Sequence, residues 1–194
     1  RIALVGLGNR GTKTLVRYAF IGNAEISCIV DVDSQRLARA NKLLRDSHRK
    51  EALTLCGPDA WKEACQLPDI DLIYICTEWR THTLMAVHAM RCGKHVAVEV
   101  PAATTVEECW LLVHTAEQTR RHCFMTENCC YDYFALETLE MHRRGLFGEI
   151  THCEGAYIHD LSTDNECGEG NTSWIERGCL THGGNPYPTH GIGP

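Results

Sequence analysis

No run of apolar residues approaches the about 20 that a helix needs to cross a bilayer, so no membrane segment or membrane partner is expected. Basic charge is not in excess either. Nineteen Lys and Arg stand against 25 Asp and Glu, and the net charge of −6 argues against nucleic acid as a partner. There is no internal repeat and no low-complexity tract, and 44% hydrophobic with 23% charged residues excludes intrinsic disorder. C-x-x-C pairs are missing, although the chain holds 12 cysteines. Cys28, Cys76 and Cys92 fall in apolar stretches, where a reduced thiol packs as a small hydrophobe. Free thiols are therefore expected, with no disulfide framework and no metal site. That usage favours a soluble, cytoplasmic setting. No initiator Met or signal peptide is present, and the chain opens at Arg1 in a strand and stops at Pro194 in mid-motif. A fragment is expected, with an export signal left open.

What is present is 194 residues, enough for one domain and part of another. Short apolar, β-branched runs at residues 1–5, 24–30, 71–76, 95–98 and 123–126 read as five buried strands. Between them, helical spacing predicts helices over 11–20, from the Asp33-Ser34 cap onward, briefly after Pro58, over 80–92, and from Thr104 or Thr105 to about 121. A further helix is expected over 131–144, stopped by Gly145. Strands alternating with helices specify an α/β fold, a doubly wound parallel sheet. Residues 149–159 read as a long strand, and 160–186 as a polar, Gly-rich loop.

Gly6-Leu7-Gly8-Asn9-Arg10-Gly11 is a G-x-G-x-x-G motif that follows a strand and opens a helix. Gly6 permits the tight turn, Gly8 lets backbone approach a pyrophosphate, and Gly11 allows close helix packing. The helix N-terminus supplies N–H groups and partial positive charge for phosphates. Asp31, at the end of the second strand, is placed to accept hydrogen bonds from an adenosine ribose. A carboxylate there repels a 2′-phosphate, so NAD is expected rather than NADP. Asp33 is a second candidate for the ribose, and helix capping is the alternative for both.

Thr77-Glu78-Trp79-Arg80-Thr81-His82 and Gly93-Lys94-His95-Val96-Ala97-Val98-Glu99-Val100-Pro101, with the opening motif, resemble the Gfo/Idh/MocA oxidoreductases. That resemblance implies a Rossmann-type NAD domain acting on sugars or cyclitols. Members usually carry Glu-Lys-Pro where this chain has Glu99-Val100-Pro101, and the lysine assists proton transfer. Valine cannot move a proton. The departure, with HVAVEVPAATTVEECW (95–110), TENCCYDYF (126–134), RRGLFGEI (143–150), EGAYIHDL (154–161) and NPYPTHGIGP (185–194), is similar to the NAD-dependent α-N-acetylgalactosaminidase branch, glycoside hydrolase family 109.

The branch implies hydrolysis without net redox change: transient oxidation at the sugar's carbon-3, loss of the carbon-2 proton with elimination, water addition and re-reduction. Paired carboxylates are not needed, but proton-moving groups are. The resemblance implies His190 as general base or acid and Tyr187 beside it at the substrate, with Glu99 and Tyr131 at further active-site positions. A loop histidine is the alternative for His190, and holding the loop before Pro101 the alternative for Glu99. Cofactor contacts are expected from Gly6, Gly8, Asn9, Arg10, Gly11, Asp31, Thr77, Trp79, His82, Glu99 and Asn128. Trp79 fits a nicotinamide wall or the core equally well. His152, Glu154 and His159 alternate along the expected strand, and a solvated sheet face is the reading for them.

The expected organisation is an NAD-binding domain over 1–126 and the start of a substrate domain over 127–194. The partner expected is a carbohydrate ending in N-acetylgalactosamine or a related sugar, with further copies of the chain left open. A sugar or cyclitol dehydrogenase, and a non-catalytic NAD-binding fragment, are the competing functions.

Overall fold

A computed structural model describes residues 1–18, 20–158, 178–181, 183 and 188–193. They divide into two compact units, Arg1–Met125 and Thr126–Pro194.

The first unit alternates strand and helix throughout. Its elements are β1 (Ile2–Val5), α1 (Asn9–Tyr18), β2 (Ile26–Asp31), α2 (Ser34–Asp46), β3 (Leu53–Cys56) and α3 (Ala60–Gln66). There follow β4 (Leu72–Ile75), α4 (Trp79–Arg91), β5 (His95–Val98), α5 (Val106–Thr119) and β6 (Cys123–Met125). All strand pairs are parallel, in the order β3-β2-β1-β4-β5-β6. The sheet has six strands where five were expected. The addition, β3, lies at the edge and is largely exposed, so its four residues carry no buried-strand pattern.

Both faces of the sheet are covered, and the side-chain alternation of a strand sorts its residues between them. Ala3, Val5, Cys28, Val30, Ile73, Ile75, Val96 and Val98 pack with Trp61 and Ala64 of α3, Ala86 and Met90 of α4, and Leu112 of α5. Ile2, Leu4, Ile29, Tyr74 and Ala97 pack instead with Leu15 of α1 and Leu37, Ala40 and Leu44 of α2. The chain winds outward from β1 in one direction through β2 and β3, then in the other through β4, β5 and β6. The reversal puts the carboxyl ends of β1 and β4 side by side at a switch point, where such sheets bind ligands.

Helix starts are set by side chains that take up otherwise unpaired N–H groups. Asp33 accepts from the Gln35 N–H at the start of α2. Thr105 accepts from the Glu108 N–H at the start of α5, while the Glu108 carboxylate accepts from Thr104. Helix α1 begins at Asn9, two residues earlier than expected, so the second half of the glycine motif is its first turn.

The second unit opens with a 3-10 turn (Asn128–Tyr131), followed by α6 (Tyr133–Arg143), and its last described helix is Thr189–Ile192. The single helix expected over 131–144 is thus broken at Asp132, whose backbone is extended. Residues 151–158 form no strand. A strand needs a partner for its ladder, and none pairs with this segment among the described residues. His152 and Glu154 are exposed there, while His159 and most of the 160–186 loop lie outside the described residues. Among the described residues no helix is long and apolar enough to cross a membrane.

Candidate functional site

In the first unit the β1–α1 turn is built around three glycines with three separate needs. Gly6 has φ +89°, and a Cβ there would stand 2.7 Å from the Cys76 carbonyl oxygen. A Cβ on Gly11 would overlap the Gly6 carbonyl oxygen, so α1 packs on the turn only because Gly11 has none. Gly8 has nothing within 4 Å of its Cβ position, which leaves that side of the crest open to a ligand. Thr12 pins the turn from inside, its hydroxyl donating to the Leu7 carbonyl at 3.0 Å. Asn9 and Arg10 form the first turn of α1, whose N-terminal end favours an anion.

Asp31 ends β2 beside this turn and is 7% exposed. Its carboxylate accepts from the Leu7 N–H at 2.6 Å and from the Asp33 N–H at 2.9 Å, which fixes both oxygens at the rim. Arg36 approaches Asp31 at 3.8 Å and Asp33 at 3.6 Å. Asp33 caps α2 with its own side chain, which accepts from the Gln35 N–H at 2.8 Å. The open Gly8 side, the N-terminus of α1 and the rim carboxylate fit a dinucleotide: pyrophosphate at the turn and ribose at Asp31.

Glu99 sits just past β5 and is buried. It accepts from the Tyr74 hydroxyl at 2.6 Å and pairs with Arg10 Nε at 2.8 Å. Burial is the largest influence on Arg10 and opposes its charge, but the hydrogen bond and charge of Glu99 together prevail and hold its pKa above the ordinary value. Glu99 therefore ties the end of β5 to the glycine turn. Val100 follows it, buried, at a cis bond to Pro101. The nearby lysine does not substitute, because Lys94 donates to the carbonyls of Leu67 and Ile70 at 2.5 and 2.8 Å.

Thr77 lies after β4, its hydroxyl 2.7 Å from that of Thr81, and Trp79 is buried at the first turn of α4. His82 is 1% exposed, its Nδ1 2.8 Å from the Pro101 carbonyl and its Nε2 3.0 Å from the Thr77 carbonyl. Burial lowers its pKa, against the pull of the two carbonyls. His82 thus joins the loops after β4 and β5 from within.

In the second unit the structure brings together residues far apart in sequence. His190 Nδ1 lies 2.5 Å from Glu127 Oε1, with the two side chains 8% and 4% exposed. The same Glu127 oxygen accepts from the Cys129 N–H at 3.0 Å, while Oε2 is buried with no hydrogen-bond partner. Tyr157 meets the imidazole edge-on at 4.7 Å between ring centroids. Glycines make this packing feasible. A Cβ on Gly155 would overlap the Gly191 carbonyl oxygen, and one on Gly193 would stand 3.1 Å from Glu127 Cγ. Gly191 packs against the backbone of Ala156 and Tyr157, and Gly193 against the Thr189 carbonyl.

Glu127, Cys129 and His190 place a carboxylate oxygen, a thiol sulfur and a ring nitrogen within 4.8 Å of one another. Asn128 opens the 3-10 turn beside them, its side-chain amide 3.6 Å from Cys129 Sγ, and Tyr131 closes that turn 76% exposed. Tyr187 lies outside the described residues. Glu127 and Tyr157 were not singled out from sequence, although both stand in the runs that carry the family resemblance.

Two family models match the chain: "Oxidoreductase family, NAD-binding Rossmann fold" over residues 1–127, and "Glycosyl hydrolase 109, C-terminal domain" over 131–194. The chain is 54% identical, along its whole length, to an alpha-N-acetylgalactosaminidase of Bacteroides fragilis, of which it covers 47%. It is 52% identical to glycosyl hydrolase family 109 protein 2 of Phocaeicola vulgatus, covering 48% of that protein. The chain therefore spans about half the length of the curated relatives it matches. Among solved structures, the WlbA dehydrogenase of Chromobacterium violaceum, in complex with NADH and UDP-GlcNAcA, superposes with a TM-score of 0.66 at 21% identity. That match covers 76% of this chain and 41% of the other. An NAD-binding protein of Listeria innocua gives 0.67 at 19% identity, over 99% of this chain and 51% of the other. At those identities the likeness is one of fold.

Proposed function

The chain belongs to the Gfo/Idh/MocA oxidoreductase family, with its NAD-binding Rossmann domain, and from that premise we propose that it is part of an NAD-dependent glycosidase acting on α-N-acetylgalactosaminides. The observation that carries the reading is the 54% identity, over every residue of the chain, to a protein named alpha-N-acetylgalactosaminidase. Residues 1–126 are the cofactor-binding domain in this proposal, and 127–194 belong to the substrate domain.

Each side chain has a definite task. Gly6, Gly8 and Gly11 shape the turn that takes the pyrophosphate, and the α1 N-terminus at Asn9 and Arg10 meets its charge. Asp31 receives the ribose hydroxyls and repels a 2′-phosphate. Glu99 holds Arg10 and the loop that follows β5, with Thr77, Trp79 and His82 framing the neighbouring loop and Asn128 serving the nicotinamide end. Bound NAD⁺ supplies a reversible hydride acceptor for carbon-3 of the sugar. His190 takes the carbon-2 proton, which the neighbouring oxidised carbon makes acidic, and Tyr187 and Tyr131 contact the sugar. Val100, apolar and buried where relatives of the dehydrogenase type carry a proton-moving lysine, leaves the proton work to His190.

The test is turnover by the full-length protein that contains this chain, given NAD⁺ with aryl glycosides and with free sugars. Release of the aryl group from the α-N-acetylgalactosaminide without accumulation of NADH is the expected result. Steady NADH production from free sugars or cyclitols would replace the glycosidase with a dehydrogenase. Cofactor binding with neither reaction would leave an NAD-binding protein.

A further inference from the structure

We propose that Glu127 is a positioning residue for His190: it accepts the ring's Nδ1 proton and thereby assigns proton exchange to Nε2. This deepens the reading of His190 given above and rests on it. The separation of 2.5 Å between Nδ1 and Oε1, with both side chains more than nine-tenths buried, is that of a short charge-assisted hydrogen bond. An ionised carboxylate can only accept, so the proton in that bond belongs to Nδ1, and the proton that comes and goes belongs to the opposite edge of the ring.

The acceptor is itself fixed. Glu127 Oε1 also takes the Cys129 N–H, so turning the carboxylate away would strand a backbone donor as well as the imidazole. Tyr157 packs against the ring at 4.7 Å between centroids, and Gly193 lies so close that a Cβ there would stand 3.1 Å from Glu127 Cγ. Glu127 Oε2 is buried without a hydrogen-bond partner, which leaves the carboxylate's charge to be compensated chiefly from the His190 side. When Nε2 takes up a proton the ring becomes a cation against that carboxylate, and the two buried charges stabilise each other.

A shared metal ion does not explain the geometry as well. Two ligands each about 2.0–2.2 Å from one tetrahedral zinc stand roughly 3.3 Å apart. The Glu127–His190 separation is well inside that distance and is that of a hydrogen bond.

Two readouts test the proposal, and they fail separately. The first is the 15N spectrum of histidine-labelled protein, which reports the tautomer whatever the reaction turns out to be. Wild-type His190 is expected to carry its proton on Nδ1 when neutral, with Nε2 bare. A neutral ring protonated on Nε2 instead would overturn the proposal without any variant being made. The second is turnover of the full-length protein on an aryl α-N-acetylgalactosaminide. Glu127→Gln should lower kcat on the order of 10²-fold, with KM changed by no more than about twofold, because a mispositioned base is lost from the transition state and not from binding. Glu127→Asp, which keeps the charge, should recover part of that loss. Unchanged kcat in folded Glu127→Gln would overturn the positioning role. The expected tautomer in a protein that hydrolyses no glycoside would uphold the pair and sink the glycosidase reading alone.

Discussion

Gly8 and Gly11 share one motif, and their surroundings separate what each is for. At Gly11 an added methyl has nowhere to go, since it would overlap the Gly6 carbonyl oxygen, which is backbone. Gly11→Ala should therefore destabilise the fold by about 1–3 kcal/mol, the usual range for overpacking. At Gly8 there is open space, so Gly8→Ala should leave the melting temperature unchanged and weaken only NAD binding. Thermal melts beside a cofactor titration check both; equal melting losses in the two variants would remove the distinction. The turn geometry of Gly6 and Gly11 and the place of Asp31 at the end of β2 could be read from sequence because they are local, set by residues at fixed spacing along one stretch of chain. The Glu127–His190 pair could not. Its members stand 63 residues apart, and no short-range pattern marks a carboxylate that will be buried.

Elements are fixed by different signals, and they were legible in proportion to their burial. Strand β5 appears over the very residues expected, because Val96–Val98 is apolar and buried between β4 and β6. Edge strand β3 was missed because it is only four residues long and all of them but Leu55 are exposed, so it carries no buried apolar run. The opposite error occurred at 149–159, where a strand-like pattern found no partner among the described residues. His82 bridges the loops after β4 and β5 from a buried position, and that burial should show in pH. Its pKa is lowered in the fold by burial, so the unfolded chain binds the extra proton more readily. The stability it contributes is present above the unfolded value near 6.5 and is lost as pH falls through the lower folded value. Urea unfolding at pH 7.5 and at pH 5 should show a drop that is smaller in His82→Gln. Equal pH slopes in the two proteins would contradict this.

Taken whole, the molecule hides its thiols in graded fashion. Among the described residues every cysteine is free. Burial pushes Cys28 and Cys65 up to about 12 and raises Cys76 further, so these three are protonated and out of reach at neutral pH. Cys56, Cys109 and Cys153 are exposed. A maleimide pulse on the native chain should label those three and spare the buried three until denaturant is added. Early labelling of Cys28 or Cys76 would mean that the sheet opens far more readily than its packing implies.

The strand order also bears on how the chain comes off the ribosome. Strand β1 lies between β2 and β4, so its second edge stays bare until residues 72–75 have been made. At 5–20 residues per second, that wait is roughly 4–14 s of synthesis. Throughout it an apolar strand is only half paired, which makes residues 2–5 a natural client for nascent-chain chaperones.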